Sequence, residues 1–143
     1  MAKEEKHPHS ENPSLENIAM EMENIYPGHD PELKKAYISI HRMIVEVLPG
    51  LNYSMDLKDG QIGYGARQYG YDGWGMAALA LHKKWINLHF MKGADLDQQV
   101  QNDMLEGKGK QLRHMKFTSA DEVEQKAKEL RELLMKASTI CRT

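Results

Sequence analysis

Polar and apolar positions divide this 143-residue chain into segments of differing periodicity. Leu15, Ile18, Ala19, Met22 and Ile25 recur at helical spacing after Pro13-Ser14, and Tyr26-Pro27-Gly28 breaks the hydrogen-bond ladder that would continue them. Asp30-Pro31-Glu32 supplies a cap, a proline at the first helical position and an acidic first turn. The helix it opens carries Leu33, Ala36, Tyr37, Ile40, Ile44 and Val47 on one stripe and stops at Pro49-Gly50. Residues 51–75 give a weaker pattern, with glycines at 60, 63, 65, 70, 73 and 75 among tyrosines. Turns at Lys58-Asp59-Gly60 and Asp72-Gly73, and a strand over residues 61–68, are expected there.

The period then changes to two. Residues 76–91 predict a β-hairpin turning at Lys83-Lys84, which sets Leu81 opposite Ile86, Leu79 opposite Leu88 and Ala77 opposite Phe90 on one apolar face. The other face receives His82, Trp85, Asn87 and His89. A short helix over residues 95–106 is expected to end at Gly107, a left-handed cap, and a strand to run over residues 113–117. Ser119-Ala120-Asp121-Glu122 reads as a capping box. The helix it starts repeats Val123, Ala127, Leu130, Leu134 and Ala137. Helices at both ends of a strand cluster predict a single α+β domain over residues 14–143, its helices packed on one face of a mainly antiparallel sheet. Residues 1–13 read as a disordered, solvated tail.

Composition narrows the functional classes. Nineteen Lys and Arg against twenty-one Asp and Glu give a formal charge of −2, which supplies no bulk field for nucleic acid. No apolar run reaches bilayer length and no secretory leader pattern is present, so no membrane partner is expected. Cys141 is the only cysteine, which fits a reducing, cytoplasmic setting and reads as a spectator thiol near a fraying terminus. Ten methionines and an apolar sheet leave a homodimer open.

Candidate chemistry is sparse. The Gly107-Lys108-Gly109-Lys110 turn has one residue between its glycines and runs from helix to strand, the reverse of a phosphate-binding P-loop. It still contributes to a cationic cluster with Arg113, His114 and Lys116. The seven histidines show no metal-ligand spacing, and no nucleophile–base motif is present.

Tyr64-Gly65, residues 79–90 (LALHKKWINLHF), Gly93-Ala94-Asp95-Leu96, and Leu105-Glu106-Gly107-Lys108-Gly109-Lys110 leading to residues 113–117 (RHMKF) resemble the YdhG-like family of small bacterial domains. The resemblance covers roughly residues 30–140; Tyr64-Gly65-Ala66-Arg67 stands where the family pattern is Tyr-Gly-Met-Pro. It implies an α+β fold, and some family members are named frataxin-like iron chaperones.

The leading expectation is a non-enzymatic binding module for an unknown small molecule or protein, with a surface formed by His82, Asn87, His89, Lys110, Arg113 and His114. A second reading is an iron chaperone holding iron on the carboxylates Glu16, Glu21, Glu23, Asp30 and Glu32. A third is an enzyme with a pocket lined by tyrosine and histidine, drawing on Tyr64, Tyr69, Tyr71, Trp74 and Trp85.

Overall fold

A computed structural model describes residues 9–66, 68 and 75–142. Its six strands run β1 (His9–Glu11), β2 (Tyr53–Asp56), β3 (Ile62–Tyr64), β4 (Ala77–Leu81), β5 (Ile86–Phe90) and β6 (Arg113–Phe117). They form one antiparallel sheet in sequence order, each strand hydrogen-bonded to the next. Five helices accompany it: α1 (Leu15–Ile25), α2 (Pro31–Val47), α3 (Gly93–Gln99), α4 (Ala120–Gln125) and α5 (Ala127–Arg142).

Strand alternation gives the sheet two unlike faces. Met55, Ile62, Leu79, Leu88 and Met115 are fully buried, and they pack in one core with Ile18, Met22, Ile40, Ile44, Leu130 and Leu134 from the helices. The α+β architecture expected from the periodicities is therefore the architecture observed. The β4–β5 pairing has the expected register, Leu81 opposite Ile86, Leu79 opposite Leu88 and Ala77 opposite Phe90. Neither lysine of its Lys83-Lys84 turn adopts a positive φ, so the turn is not of the mirror-image type that asparagine-glycine would favour.

Capping residues behave as their chemistry requires. Ser14 Oγ accepts from Asn17 N–H at 3.1 Å, and Asp30 Oδ1 from Glu32 N–H at 2.9 Å. At α4, Ser119 Oγ accepts from Glu122 N–H at 3.1 Å, while Glu122 Oε1 accepts from the Thr118 amide at 2.5 Å. Burial works against ionisation of Glu122, but the Thr118 amide, the Thr118 hydroxyl and the Lys126 ammonium outweigh it and hold the carboxyl below its usual range.

Five expectations are corrected. The tail does not extend to residue 13, because His9–Glu11 pairs with β2, and Asn12 N–H donates to Tyr53 O at 2.8 Å. Asn12 Oδ1 in turn accepts from Tyr53 N–H at 3.0 Å, which locks the strand end. The strand expected over residues 61–68 is only Ile62–Tyr64, ending where Gly65 and Gly75 both take positive φ. A Cβ on Gly75 would stand 2.2 Å from Tyr64 O, so the chain can close on itself there only through a glycine. α3 stops at Gln99 rather than residue 106, where Asn102 Oδ1 accepts from Met104 N–H and Asp103 turns to φ 63°. The C-terminal helix is split at Lys126, whose ammonium reaches back to Lys116 O at 2.9 Å. Cys141 is buried on α5 rather than frayed, and burial pushes its thiol pKa up. The turn expected at Asp72-Gly73 lies outside the described residues. No described helix is long and apolar enough to cross a membrane.

Candidate functional site

All the helical packing just described lies on one side of the sheet. The opposite face is built from the alternate residues of every strand. The registers align Glu11, Ser54, Gly63, Ala78, His89 and His114 in one cross-strand row. A second row runs His9–Asp56 at one end and Ala80–Asn87–Lys116 at the other.

The middle of this face is low because its side chains are small. A Cβ on Gly63 would meet nothing within 4 Å, so space is open above it. A concavity of about 540 Å³ occupies the β1–β3 side, lined by His9, Glu11, Ser54, Asp56, Gln61 and Gly63 among others. That volume suits a small molecule.

Histidines and an indole populate the β5–β6 side. His82 stacks on Trp85 with ring centroids 5.0 Å apart, and Lys116 Nζ lies 5.2 Å from the Trp85 centroid. Asn87 Nδ2 is 3.5 Å from His82 Nε2. His89 and His114 are directly opposite each other with ring centroids 5.6 Å apart, and His114 Nε2 lies 3.6 Å from Glu106 Oε1. Burial, then the neighbouring His114 and His82, hold His89 below the usual histidine pKa. Its imidazole is therefore neutral at pH 7 and keeps one nitrogen able to accept a hydrogen bond. Asn87 Oδ1 and His89 Nδ1 are shielded from solvent and, among the described residues, have no hydrogen-bond partner.

Of the six residues expected to form the surface, His82, Asn87, His89 and His114 share this face. Arg113 does not. It stands opposite Phe90, one position out of phase with His114, and so points to the helix side. Its Nη1 donates to Gly109 O at 2.6 Å and Leu112 O at 2.9 Å, closing the 107–112 turn. Lys110 is exposed on that same turn. A joint cleft containing both His89 and Arg113 is thereby overturned.

The acidic set is spread out. Glu23 pairs with buried Lys34 at 3.1 Å, Glu32 pairs with Lys35 at 3.6 Å, and Asp30 caps α2. Glu16 lies in the first turn of α1. Among the described residues no group of three or more His, Cys, Asp and Glu could hold a metal ion, Glu21 included. The Tyr-lined pocket is not assembled by Tyr64, which is fully buried with its hydroxyl 2.8 Å from His41 Nδ1. Tyr69, Tyr71 and Trp74 lie outside the described residues.

Sequence reasoning missed the β1–β2 half of the face. His9 and Glu11 sit in a strand too short to show alternation. Only the polar 2-residue spacing of Ser54 and Asp56, flanking apolar Met55, carried a signal.

No protein-family model matches the chain, and neither a curated protein nor a solved structure matches it.

Proposed function

We propose that this protein is a non-enzymatic binding module whose helix-free sheet face engages a small, hydrogen-bond-rich molecule. The observation that carries the reading is the pair of sheltered, unpartnered polar atoms, Asn87 Oδ1 and His89 Nδ1, at the centre of the β5 segment of that face. Each such atom costs a folded protein about 1–3 kcal/mol when unsatisfied. A ligand that donates to Asn87 Oδ1 and pairs with His89 Nδ1, as donor or acceptor according to the tautomer, recovers that cost, which is how a few polar groups fix orientation in a mostly small-residue depression. His82 and His114 flank the pair, and Ser54, Gln61 and Glu11 extend the polar lining across the sheet. The single buried cysteine suits a reducing, cytoplasmic setting. Kinship with the YdhG-like domains belongs to the same proposal, supported by the α+β order of elements. The dispersed carboxylates give no comparable support to an iron-carrying role.

Two results test the reading. The double variant Asn87→Val, His89→Val, which removes both unpartnered atoms from a strand that favours β-branched residues, is expected to gain about 1–2 kcal/mol in urea unfolding. A loss of similar size would show that these side chains serve the fold instead. In a thermal-shift panel of sugars, nucleosides, and hydroxy and amino acids, compounds that raise the wild-type Tm are expected to lose their effect on that double variant. They are expected to keep it on Glu23→Gln. Compounds that stabilise the double variant equally would place the site elsewhere.

A further inference from the structure

The sheet has two edges, and they are treated oppositely. Along the outer edge of β6 and its flanking residues, most outward backbone groups are occupied. His114 exchanges hydrogen bonds with Glu106, its N–H donating to Glu106 O at 2.9 Å and its carbonyl accepting from Glu106 N–H at 2.8 Å. Lys126 Nζ donates to Lys116 O at 2.9 Å, Arg113 Nη1 to Leu112 O at 2.9 Å, and the Thr118 amide to Glu122 Oε1 at 2.5 Å. Such covering keeps an edge from recruiting another strand.

Among the described residues, none covers β1 in this way. Asn12 N–H points to β2, donating to Tyr53 O. By the alternation of an antiparallel ladder, Ser10 points the same way, and the N–H and C=O groups of His9 and Glu11 point outward. Among the described residues these four groups have no hydrogen-bond partner.

From this bare edge and its sequence we infer that β1 pairs antiparallel with β1 of a second copy of this chain, about a two-fold axis through Ser10. In that register His9 of each copy lies directly opposite Glu11 of the other. Both residues offer outward backbone groups, so each of the two pairs exchanges N–H···O bonds in both directions, four bonds in all across the axis. Directly opposite residues put their side chains on the same side of a sheet. Each His9 ring N–H thus meets a Glu11 carboxylate, a donor against an acceptor. The His-Ser-Glu segment is complementary to itself when reversed, as a two-fold contact requires. The axis stands perpendicular to the sheet, so both helix-free faces lie on one side of the joined sheet. The concavities bordered by His9 and Glu11 in each copy then adjoin. This pairing does not depend on what those concavities bind. With only three residues per strand the contact is small, and a weak, concentration-dependent dimer is expected.

Sedimentation equilibrium of the full chain from about 10 µM to about 1 mM tests it. The wild-type average mass is expected to rise from one chain toward two across that range. Glu11→Pro removes an outward N–H while leaving the inward groups of Ser10 in place, and is expected to stay monomeric. Glu11→Lys sets a lysine opposite His9 twice per dimer and is expected to weaken association by about tenfold. Adding His9→Glu to that variant sets a carboxylate opposite each lysine and should restore association, which also guards against misfolding of the proline variant. A protein monomeric at about 1 mM overturns the inference. So does a dimer indifferent to both Glu11 variants, since its contact would lie elsewhere.

Discussion

Gly93→Ala is expected to destabilise the fold by about 3–4 kcal/mol, on the scale of an overpacked, strained core position. A Cβ on Gly93 would stand 2.4 Å from Arg113 Cβ and 2.5 Å from Arg113 N. Neither atom can yield as the far end of a flexible side chain can. Arg113 is fixed by its pairing with Phe90 and by the two carbonyls its guanidinium holds in the 107–112 turn. Gly93 is itself tied down, because the next residue, Ala94, donates to Gln111 O at 2.7 Å. Relief would require α3 and β6 to separate, loosening the packing of α3 on α5 and of Leu96 in the core. Urea unfolding read by circular dichroism checks this. A loss under about 1 kcal/mol would mean that the α3–β6 junction relaxes freely.

Acid is expected to weaken the protein through His41, well before carboxylates protonate. His41 is 1 % exposed, its Nδ1 lies 2.8 Å from the Tyr64 hydroxyl and its ring is edge-on to Tyr53. Burial pushes its pKa from 6.5 down to about 4. The unfolded chain therefore binds a proton near pH 6.5 while the folded chain refuses it until about pH 4. The contribution of neutral His41 is fully present above pH 6.5 and is lost progressively as pH falls to about 4. Integrated over that window it amounts to roughly 3 kcal/mol. His89 is shifted in the same direction, and Glu122 adds a loss of the usual carboxylate kind at lower pH. The variant His41→Asn, whose side-chain oxygen can take the place of Nδ1, isolates the His41 share. Its stability between pH 6.5 and 4 should fall far less steeply than that of wild type. Parallel pH profiles would assign the acid sensitivity to other groups.

Both residues show where sequence reading reached and where it stopped. The stripe of α2 was plain from Leu33, Tyr37, Ile40 and Ile44, yet His41, next to that stripe, gave no sign that it faces Tyr64 across the core. The β4–β5 register was legible because two apolar rows and a two-residue turn admit only one alignment. The same alternation put His82, Asn87 and His89 together. It also separates Arg113 from His114, since neighbours on a strand face opposite ways; grouping them by proximity along the chain obscured this. Residues 51–66 were opaque for a different reason. Their strands are three and four residues long and held by tertiary contacts, such as the Tyr37 hydroxyl on Gly60 O and Leu79 O, which no local pattern announces. α3 ended early because Asn102 and Asp103 prefer a turn to a further helical one.

The order of strands has one further consequence, for how the chain assembles. From β3 to β6 every strand joins the one before it; β4–β5 closes over a two-residue turn, while β5 and β6 are joined through α3. β1 is separated from β2 by the longest connection between neighbouring strands, the segment holding α1 and α2. The N-terminal strand is thus expected to dock late and to leave early. The sheet thus carries its least secured strand on the edge that the described residues leave uncovered. Whatever steadies that strand also fixes one wall of the depression beside it.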